Sequence, residues 1–489
     1  MKFVHMLARP TIFICVMLPG ILCAEEVQLT LVQAVRMAVE KNLDLQIERY
    51  TPAQQEAEHR KSKGIYNPAL SLQTQYNDIS SYSVSFEQNN AQLDATLSQL
   101  LPSGGTISLG FENSFADQAG TASYWQSTLG LSLVQPLLKN FGRETTELLI
   151  TSARLGKEAS LEALQAKVNS TVAIVRDEYF KLYSLREELE VRKTSLDAAR
   201  RVLKDTQARV AVGTLPAMEI LNAEFGVAGR EKELIDAERA LRDQQDLFAQ
   251  LLQLPPGTAI VGIDEPSHNR YDVSEQEEIK RAFLLRPELK ELRVNRDLLE
   301  LQARVAANRT RPDLQLSGSV ATSGLGDGYS RDMDRLSSGK YPIWAVGLGL
   351  TYPLGNHAAE NDYRKSRLKA NQIALQIRNQ EELIANAVRS AVRAIETNYK
   401  QLEVTDRGRR FAEERLRAWS RKVDVGLATT KELLDVENDL AVAKNNQIKA
   451  HVAYANAVTL LWKTTGQLLE QQLIQLNIAA SDALYRETR

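Results

Sequence analysis

Two stretches decide how this chain is read: VAVGTLPAMEILNAE, Val210 to Glu224, and VDVGLATTKELLDVE, Val423 to Glu437. Each holds a Val-Gly step, a short polar interval and then an apolar helical run, and the two glycines stand 213 residues apart. Glycine adopts backbone conformations that strain other residues, so Val212-Gly213 and Val425-Gly426 read as the ends of helices. The return helices then begin with suitable chemistry. Thr429 and Glu432 have the spacing of a capping box, and Pro216 suits the start of the other return helix.

Further matched pairs lie outside these stretches. AVEKNLDLQ (Ala38 to Gln46) resembles AFLLRPELK (Ala282 to Lys290), and NPALSL (Asn67 to Leu72) faces RPDLQL (Arg311 to Leu316). GLSLVQPL (Gly130 to Leu137) faces GLGLTYPL (Gly347 to Leu354). Four landmarks in one order make the chain a two-fold internal repeat. We assign repeat 1 to 25–272, repeat 2 to 273–472 and a tail to 473–489. The offset between copies falls by 27 residues between the second and third landmarks, so repeat 1 holds an insertion there.

Within each copy the periodicity changes in the same sequence. Residues 29–64 predict a helix ended by Pro68. Alternation follows at Leu70, Leu72, Thr74 and Tyr76 and again at Leu129, Leu131 and Leu133; a long helix then runs from after Gly142 to about Val212. Repeat 2 predicts helix 274–308, strands 313–321 and 343–352 and helix 358–422, and the return helices are 217–254 and 430–470. A helix of about seventy residues extends about 100 Å, so its apolar stripe calls for coiled-coil neighbours. The insertion lies within AQLDATLSQLLPSGGTISLGFENS (Ala91 to Ser114), which reads as a hairpin about a Pro-Ser-Gly-Gly turn. That hairpin either extends the strands outward or lies against them. Tyr124, Trp125, Tyr341 and Trp344 are either membrane-interface aromatics or turn packing.

Composition narrows the function. A net charge of −2 in 489 residues gives no support for nucleic-acid binding. KFVHMLARP, then TIFICVMLPGILC, then AEE, forms a secretory signal peptide over 1–24, cut after Ala24. A lipoprotein alternative makes Cys23 the lipidated residue. With the first cut, Cys15 and Cys23 both leave, and disulfides with them. No later segment approaches eighteen apolar residues, so the exported chain has no helical anchor. Four principal strands have open edges, and several chains together could close them into one membrane barrel, apolar outside and polar inside.

Enzyme chemistry has little footing. His59, His268, His357 and His451 are far apart in sequence; His59 beside Glu56 and Glu58 is at most a weak metal hint. Gly104-Gly105 and GLGDG (Gly324 to Gly328) lack the Lys and helix of a phosphate loop, and the latter reads as an extracellular turn. No cofactor or metal is expected.

Signal peptide, duplicated helix–strand–strand–helix units and Val-Gly steps between long helices together resemble the TolC-type outer-membrane efflux proteins, over about Leu29 to Glu470. That resemblance implies a homotrimer in outer-membrane lipid, with a coiled-coil helical barrel in the periplasm joined to a twelve-stranded β-barrel, four strands per chain. It implies a passive exit duct for tripartite efflux, or alternatively for type I protein secretion. The partners would be a periplasmic adaptor and an inner-membrane transporter. Adaptor docking then falls on Val212, Gly213, Thr214, Val425, Gly426 and Leu427, which otherwise are only well-made turns. Glu432 and Asp435, with Glu219 and Asn222 in the first copy, stand where the family frames its periplasmic gate. A ring of carboxylates there would attract cations and raise one another's pKa values. Arg209, Arg421 and Lys422 either pair with acidic residues of neighbouring helices and hold the entrance closed or, the preferred reading for any one of them, are favourable charges at helix C-termini.

Overall fold

The computed structural model describes residues 26–81, 86–118, 121–475 and 478–487. The expected signal peptide, with Cys15 and Cys23, lies outside the described residues. The order is β1 (Val27–Leu29), α1 (Leu31–Lys41), α2 (Leu43–Ser62), β2 (Ala69–Ser81), β3 (Phe86–Leu100), β4 (Thr106–Gln118), β5 (Tyr124–Pro136), α3 (Arg143–Thr146) and α4 (Leu148–Ala211). There follow α5 (Met218–Leu252), β6 (Ile260–Gly262), α6 (Glu275–Leu285), α7 (Pro287–Arg309), β7 (Asp313–Gly326), α8 (Tyr329–Ser337) and β8 (Pro342–Thr351). The chain closes with α9 (His357–Asp424), α10 (Thr430–Thr465), α11 (Leu468–Gln471) and α12 (Ile478–Glu487). No described helix is long and apolar enough to cross a membrane.

Each helix expected to precede a strand is in fact two helices. Asn42 interrupts the first by capping α2, its Oδ1 accepting from Leu45 N at 3.2 Å. The second breaks at Arg286-Pro287, where Pro287 takes the first position of α7 and its ring disfavours a helical Arg286. Both breaks fall in the matched NLDL and RPEL segments, so the duplication extends to the kink.

The chain divides into two units. The first holds 175–268 and 401–455 with the N-terminal segment through Ala38. Its core includes Tyr179 and Phe248, both fully buried, with ring centroids 6.2 Å apart. Tyr179 Oη donates to Leu29 O at 2.9 Å and accepts from Asp264 N at 3.0 Å. It thereby anchors a parallel pair of β1 and β6. These strands are three residues each, too short for alternation to reveal.

The second unit holds the main sheet, in the order β2-β3-β4-β5-β7-β8, all neighbours antiparallel. Six strands stand where four principal ones were expected, because the inserted hairpin enters the sheet as β3 and β4. Directly paired residues share a face, so the register sorts the side chains. One face carries Leu70 and Leu72, Leu97, Leu109 and Phe111, Leu129 and Leu131, Val320, and Val346 and Leu348. The other carries Ser71 and Gln73, Thr96 and Asp94, Ser108 and Glu112, Thr128 and Ser132, Ser319, and Gly347.

At the end of the sheet adjoining the helices, the inserted turn is clasped to the β5–α3 connection. Ser103 Oγ donates to Gln135 Oε1 at 2.6 Å, and Gln135 Nε2 and Gly142 N donate to Ser103 O at 3.1 and 3.0 Å. Gly104 has φ +88, and a Cβ there would lie 2.5 Å from Asn140 O. Only glycine makes this turn.

At the opposite end, GLGDG is not the simple turn expected: Gly324 to Gly326 finish β7, and α8 then folds back onto the apolar face. Asp332 is fully buried there. Its Oδ2 accepts from Ser127 Oγ at 2.5 Å and its Oδ1 from Ser127 N at 3.1 Å, while Asn113 Nδ2 donates to Ser127 Oγ at 2.6 Å. A Cβ on Gly324 would lie 2.2 Å from Asp332 O, so that glycine admits the helix. Trp125 packs against Phe115 and edge-on to Tyr329, whereas Tyr341 and Trp344 are exposed. Of these aromatics, Trp125 thus takes the turn-packing role.

The segment set down as a tail contains α12, tied to its neighbours by charge. Lys157 Nζ lies 3.0 Å from Glu56 Oε2 and 2.8 Å from Asp482 Oδ1, and Arg60 spans Glu56 Oε1 at 2.6 Å and the Tyr485 ring at 4.7 Å. The Arg60 hydrogen bond, reinforced by Lys157, holds the Glu56 carboxyl down at about 2. His59 reaches only Glu56, at 3.8 Å, and no group of three metal-ligating side chains occurs among the described residues.

Two outcomes follow. A carboxyl with a depressed folded pKa contributes its stability above its ordinary value of 4.5 and loses it as pH falls through about 2. Hydrogen exchange in α12 should therefore rise over that window in the native protein, with no such step in Glu56→Gln. Asp332→Ala strands the Ser127 donors at a cost of roughly 1–3 kcal/mol. Trypsin should then cut at Arg331 or Arg335 several-fold faster in intact outer-membrane vesicles.

Candidate functional site: the paired helical turns

The first unit places the two quoted stretches side by side. Gly213 has φ +78 and Gly426 φ +76. Thr214 N donates to Arg209 O at 2.9 Å and Leu427 N to Lys422 O at 2.8 Å, each five residues back. Gly213 N donates to Val210 O at 3.0 Å and Gly426 N to Val423 O at 3.1 Å. Both turns are thus the same left-handed helix cap, satisfying the last carbonyls of α4 and α9.

The starts of the return helices differ. Thr429 N donates to Glu432 Oε2 at 2.8 Å and Glu432 N to Thr429 Oγ1 at 3.2 Å, a complete capping box. Thr429 N, and Thr429 Oγ1 at 3.1 Å, both donate to Glu432 Oε2 and hold that carboxyl below the usual carboxylate range. In the first copy Ala217 caps nothing with its side chain, and the helix opens with Glu219 N donating to Pro216 O at 3.1 Å.

Between the turns lies an open groove of about 1280 Å³. Arg201, Asp205, Arg209, Glu219, Asp424 and Glu432 give it a charged lining. Arg209 is more than a C-terminal charge: its Nη1 donates to Val423 O at 2.9 Å and its Nη2 reaches Asp424 Oδ1 at 3.4 Å, tying one turn to the other. Lys422 instead lies over the Trp419 ring, 4.0 Å from its centroid. Deeper in, burial raises the Glu437 carboxyl, a push that Arg201 and Arg230 oppose. Below the groove α5 and α10 meet closely, since a Cβ on Gly226 would lie 2.8 Å from Leu434 Cδ1.

The gate candidates do not form one set within a single chain. Glu432 and Asp435 share the exposed face of α10, with Leu433, Leu434 and Val436 buried on the other. Glu219 and Asn222 are half-buried, and Glu219 Oε2 is buried without a hydrogen bond. The groove gathers Glu219 with Glu432 but not Asn222 with Asp435. Around it, Val212, Val425 and Leu427 are exposed, Leu427 to 78%. On α5, Met218, Leu221 and Phe225 are exposed as well, Phe225 at 83%. The sequence reading passed over these three; their 3-4 spacing, opposite buried Ala223 and Ala237, carried the signal. Likewise His268 and His451, far apart in sequence, meet at 6.0 Å between ring centroids, with Asp406 3.8 Å from His451.

Comparison with known proteins fits this arrangement. The outer membrane efflux protein family model matches twice in succession, at residues 69–252 and 279–467. The chain belongs to that family. It is 24% identical over 403 residues to nodulation protein T of Rhizobium leguminosarum bv. trifolii, covering 78% of this chain and 79% of that one. It is 23% identical over 324 residues to the pyoverdine export outer membrane protein OpmQ of Pseudomonas aeruginosa, covering 63% and 65%. Among solved structures, CusC superposes with a TM-score of 0.67 at 14% identity, over 90% of this chain and 93% of that one. The fold is the TolC-type fold, and the double match is the duplication read from the sequence. The protein is an outer-membrane channel of efflux or secretion, extending into the periplasm, and not an enzyme.

Removing the tie between the turns tests its role. Arg209→Ala should lengthen and broaden the spin-label distance distribution between Thr214 and Leu427; an unchanged distribution would show the contact to be idle.

Proposed function

We propose that this protein is the passive, homotrimeric outer-membrane exit duct of a tripartite system that exports small molecules. A periplasmic adaptor docks on its paired turns, and an inner-membrane transporter supplies the energy. The observation that carries the docking assignment is the pair of matching glycine caps, tied by Arg209, that leave Val212, Val425 and Leu427 in solvent, with Leu427 lining the groove between the turns. A helix turn needs no exposed valine or leucine for its own stability, and contiguous apolar surface beside polar residues is what a protein partner buries. Gly213, Thr214 and Gly426 shape that surface. The small-molecule cargo is favoured by the pyoverdine export named for one relative.

At the entrance, Glu432 and Asp435 of three chains form the acidic ring, framed by Glu219 and Asn222. The two residues of each pair do different work. Glu432 is committed to its helix cap, whereas Asp435 lies one turn further on the same exposed face, with no cap to make.

Reconstitution in a planar bilayer should give cation-preferring conductance from the folded trimer, and Glu432→Gln with Asp435→Asn should reduce that preference several-fold. Unchanged selectivity would remove the acidic ring. In the native host, Leu427→Asp with Val425→Asp should abolish export while outer-membrane abundance and bilayer conductance stay normal. Continued export would move adaptor docking elsewhere.

A further inference from the structure

The six-stranded sheet leaves β2 and β8 as its two edges, and no other described strand pairs with their outer sides. We infer that these edges join in copies of this chain, so that each subunit builds six strands of the membrane wall and three subunits close an eighteen-stranded barrel. The inference rests on the trimeric duct reading only for the number of copies.

Three observations place β3 and β4 in the wall rather than outside it. First, β3 pairs with β2 from Ser81↔Phe86 to Ala69↔Ser98 and with β4 from Gln88↔Gln118 to Leu100↔Thr106. No stretch of β2 is left to meet β5 directly. Second, the division into faces carries across the insertion. Leu70, Leu97, Leu109 and Leu131 are directly paired neighbours on the apolar side, and Ser71, Thr96, Gly110 and Gly130 form a matching row on the other. A hairpin standing clear of the membrane has no use for an apolar face in register with its neighbours. Third, the Ser103-Gly104 turn is hydrogen-bonded to Gln135 and Gly142, at the end of the sheet where β5 passes into helix. The hairpin therefore spans the same height as the strands beside it.

Closure is then a matter of backbone chemistry. A row of unpaired N–H and C=O groups facing lipid costs several kcal/mol per group, so neither edge can remain open in the membrane. All six strands alternate in direction, so β8 of one copy runs antiparallel to β2 of the next, and the head-to-tail contact repeats around a ring. Leu70 and Leu72 on β2 and Val346, Leu348 and Leu350 on β8 carry the apolar face to both edges. Barrel diameter grows roughly linearly with strand number, so the wall is about 1.5-fold wider than one of twelve strands.

Single-particle imaging of the protein in lipid nanodiscs tests this directly. The expected cross-section holds eighteen strands around three subunits. Six strands per subunit with another copy number would keep the inference and remove the trimer. Four per subunit, with β3 and β4 off the wall, would overturn the inference while leaving the trimer intact. A paired substitution supplies a second readout. Leu97→Arg or Leu109→Arg, on the lipid side, should deplete outer-membrane trimer several-fold, whereas Thr96→Arg or Ser108→Arg should leave it near normal. Equal behaviour of the two pairs, whether loss or tolerance, would overturn the assigned faces.

Discussion

Every backbone donor and acceptor that enters a hydrocarbon layer must find a partner inside the protein. For this chain that constraint governs the sheet and, through it, the helices. Six strands satisfy one another at every interior edge and leave two edges, on β2 and β8, that no other described strand pairs. The same rule explains the treatment of α8. Asn113 and Ser127 are adjacent polar residues on the mainly apolar face, and Asp332 completes their hydrogen bonds within the protein. The sheet avoids unpaired polar groups toward lipid both by pairing strands and by covering an exception with a helix.

Where the chain is in water the governing constraint changes. The long helices α4 and α9 each end with carbonyls that need partners, and glycine in the left-handed region closes both ends in one way. Matching caps bring Arg209 of one turn within reach of Val423 and Asp424 of the other. Local helix chemistry thus sets the spacing of the groove, and the apolar residues around it need only stay out of the core. The capping box does the same for Glu432. Its carboxylate is oriented and kept charged by Thr429 before any neighbouring chain is considered.

The sequence made legible what repeats. Strict alternation at Leu129, Leu131 and Leu133, the 3-4 spacing along the long helices and the two Val-Gly steps each persist over many residues, so periodicity reports them well. What it hid was short or tertiary. The strands VQL and IVG are too brief to alternate, and their pairing depends on the Tyr179 hydroxyl, distant in sequence. The α8 helix follows a Gly-rich segment in which Gly324 and Gly326 serve to admit Asp332 rather than to turn the chain. Arg209 looked like an end-of-helix charge because its acceptor lies more than two hundred residues away. The stripe Met218, Leu221 and Phe225 had the spacing of a core face, and only the fold shows that it is the face left outside.

The insertion in repeat 1 also shows why a duplicated channel can grow in its wall without disturbing its helices. In repeat 2 a single connection separates β7 from β8, and the chain returns in the direction that feeds α9. An added single strand in repeat 1 would reverse the direction in which β5 arrives, and α4 would start from the wrong end of the sheet. A hairpin preserves direction, because two antiparallel strands restore the path to its original sense. The hairpin turn must then sit beside the helix junction, and it is there that Ser103 bonds Gln135 and Gly142 and that Gly104 is required. Repeat 2 has diverged at the opposite end, through α8, where no helix depends on the path of the chain. Each addition lies where antiparallel pairing tolerates it, so strand number can change in steps of two while the helical connections stay as they are.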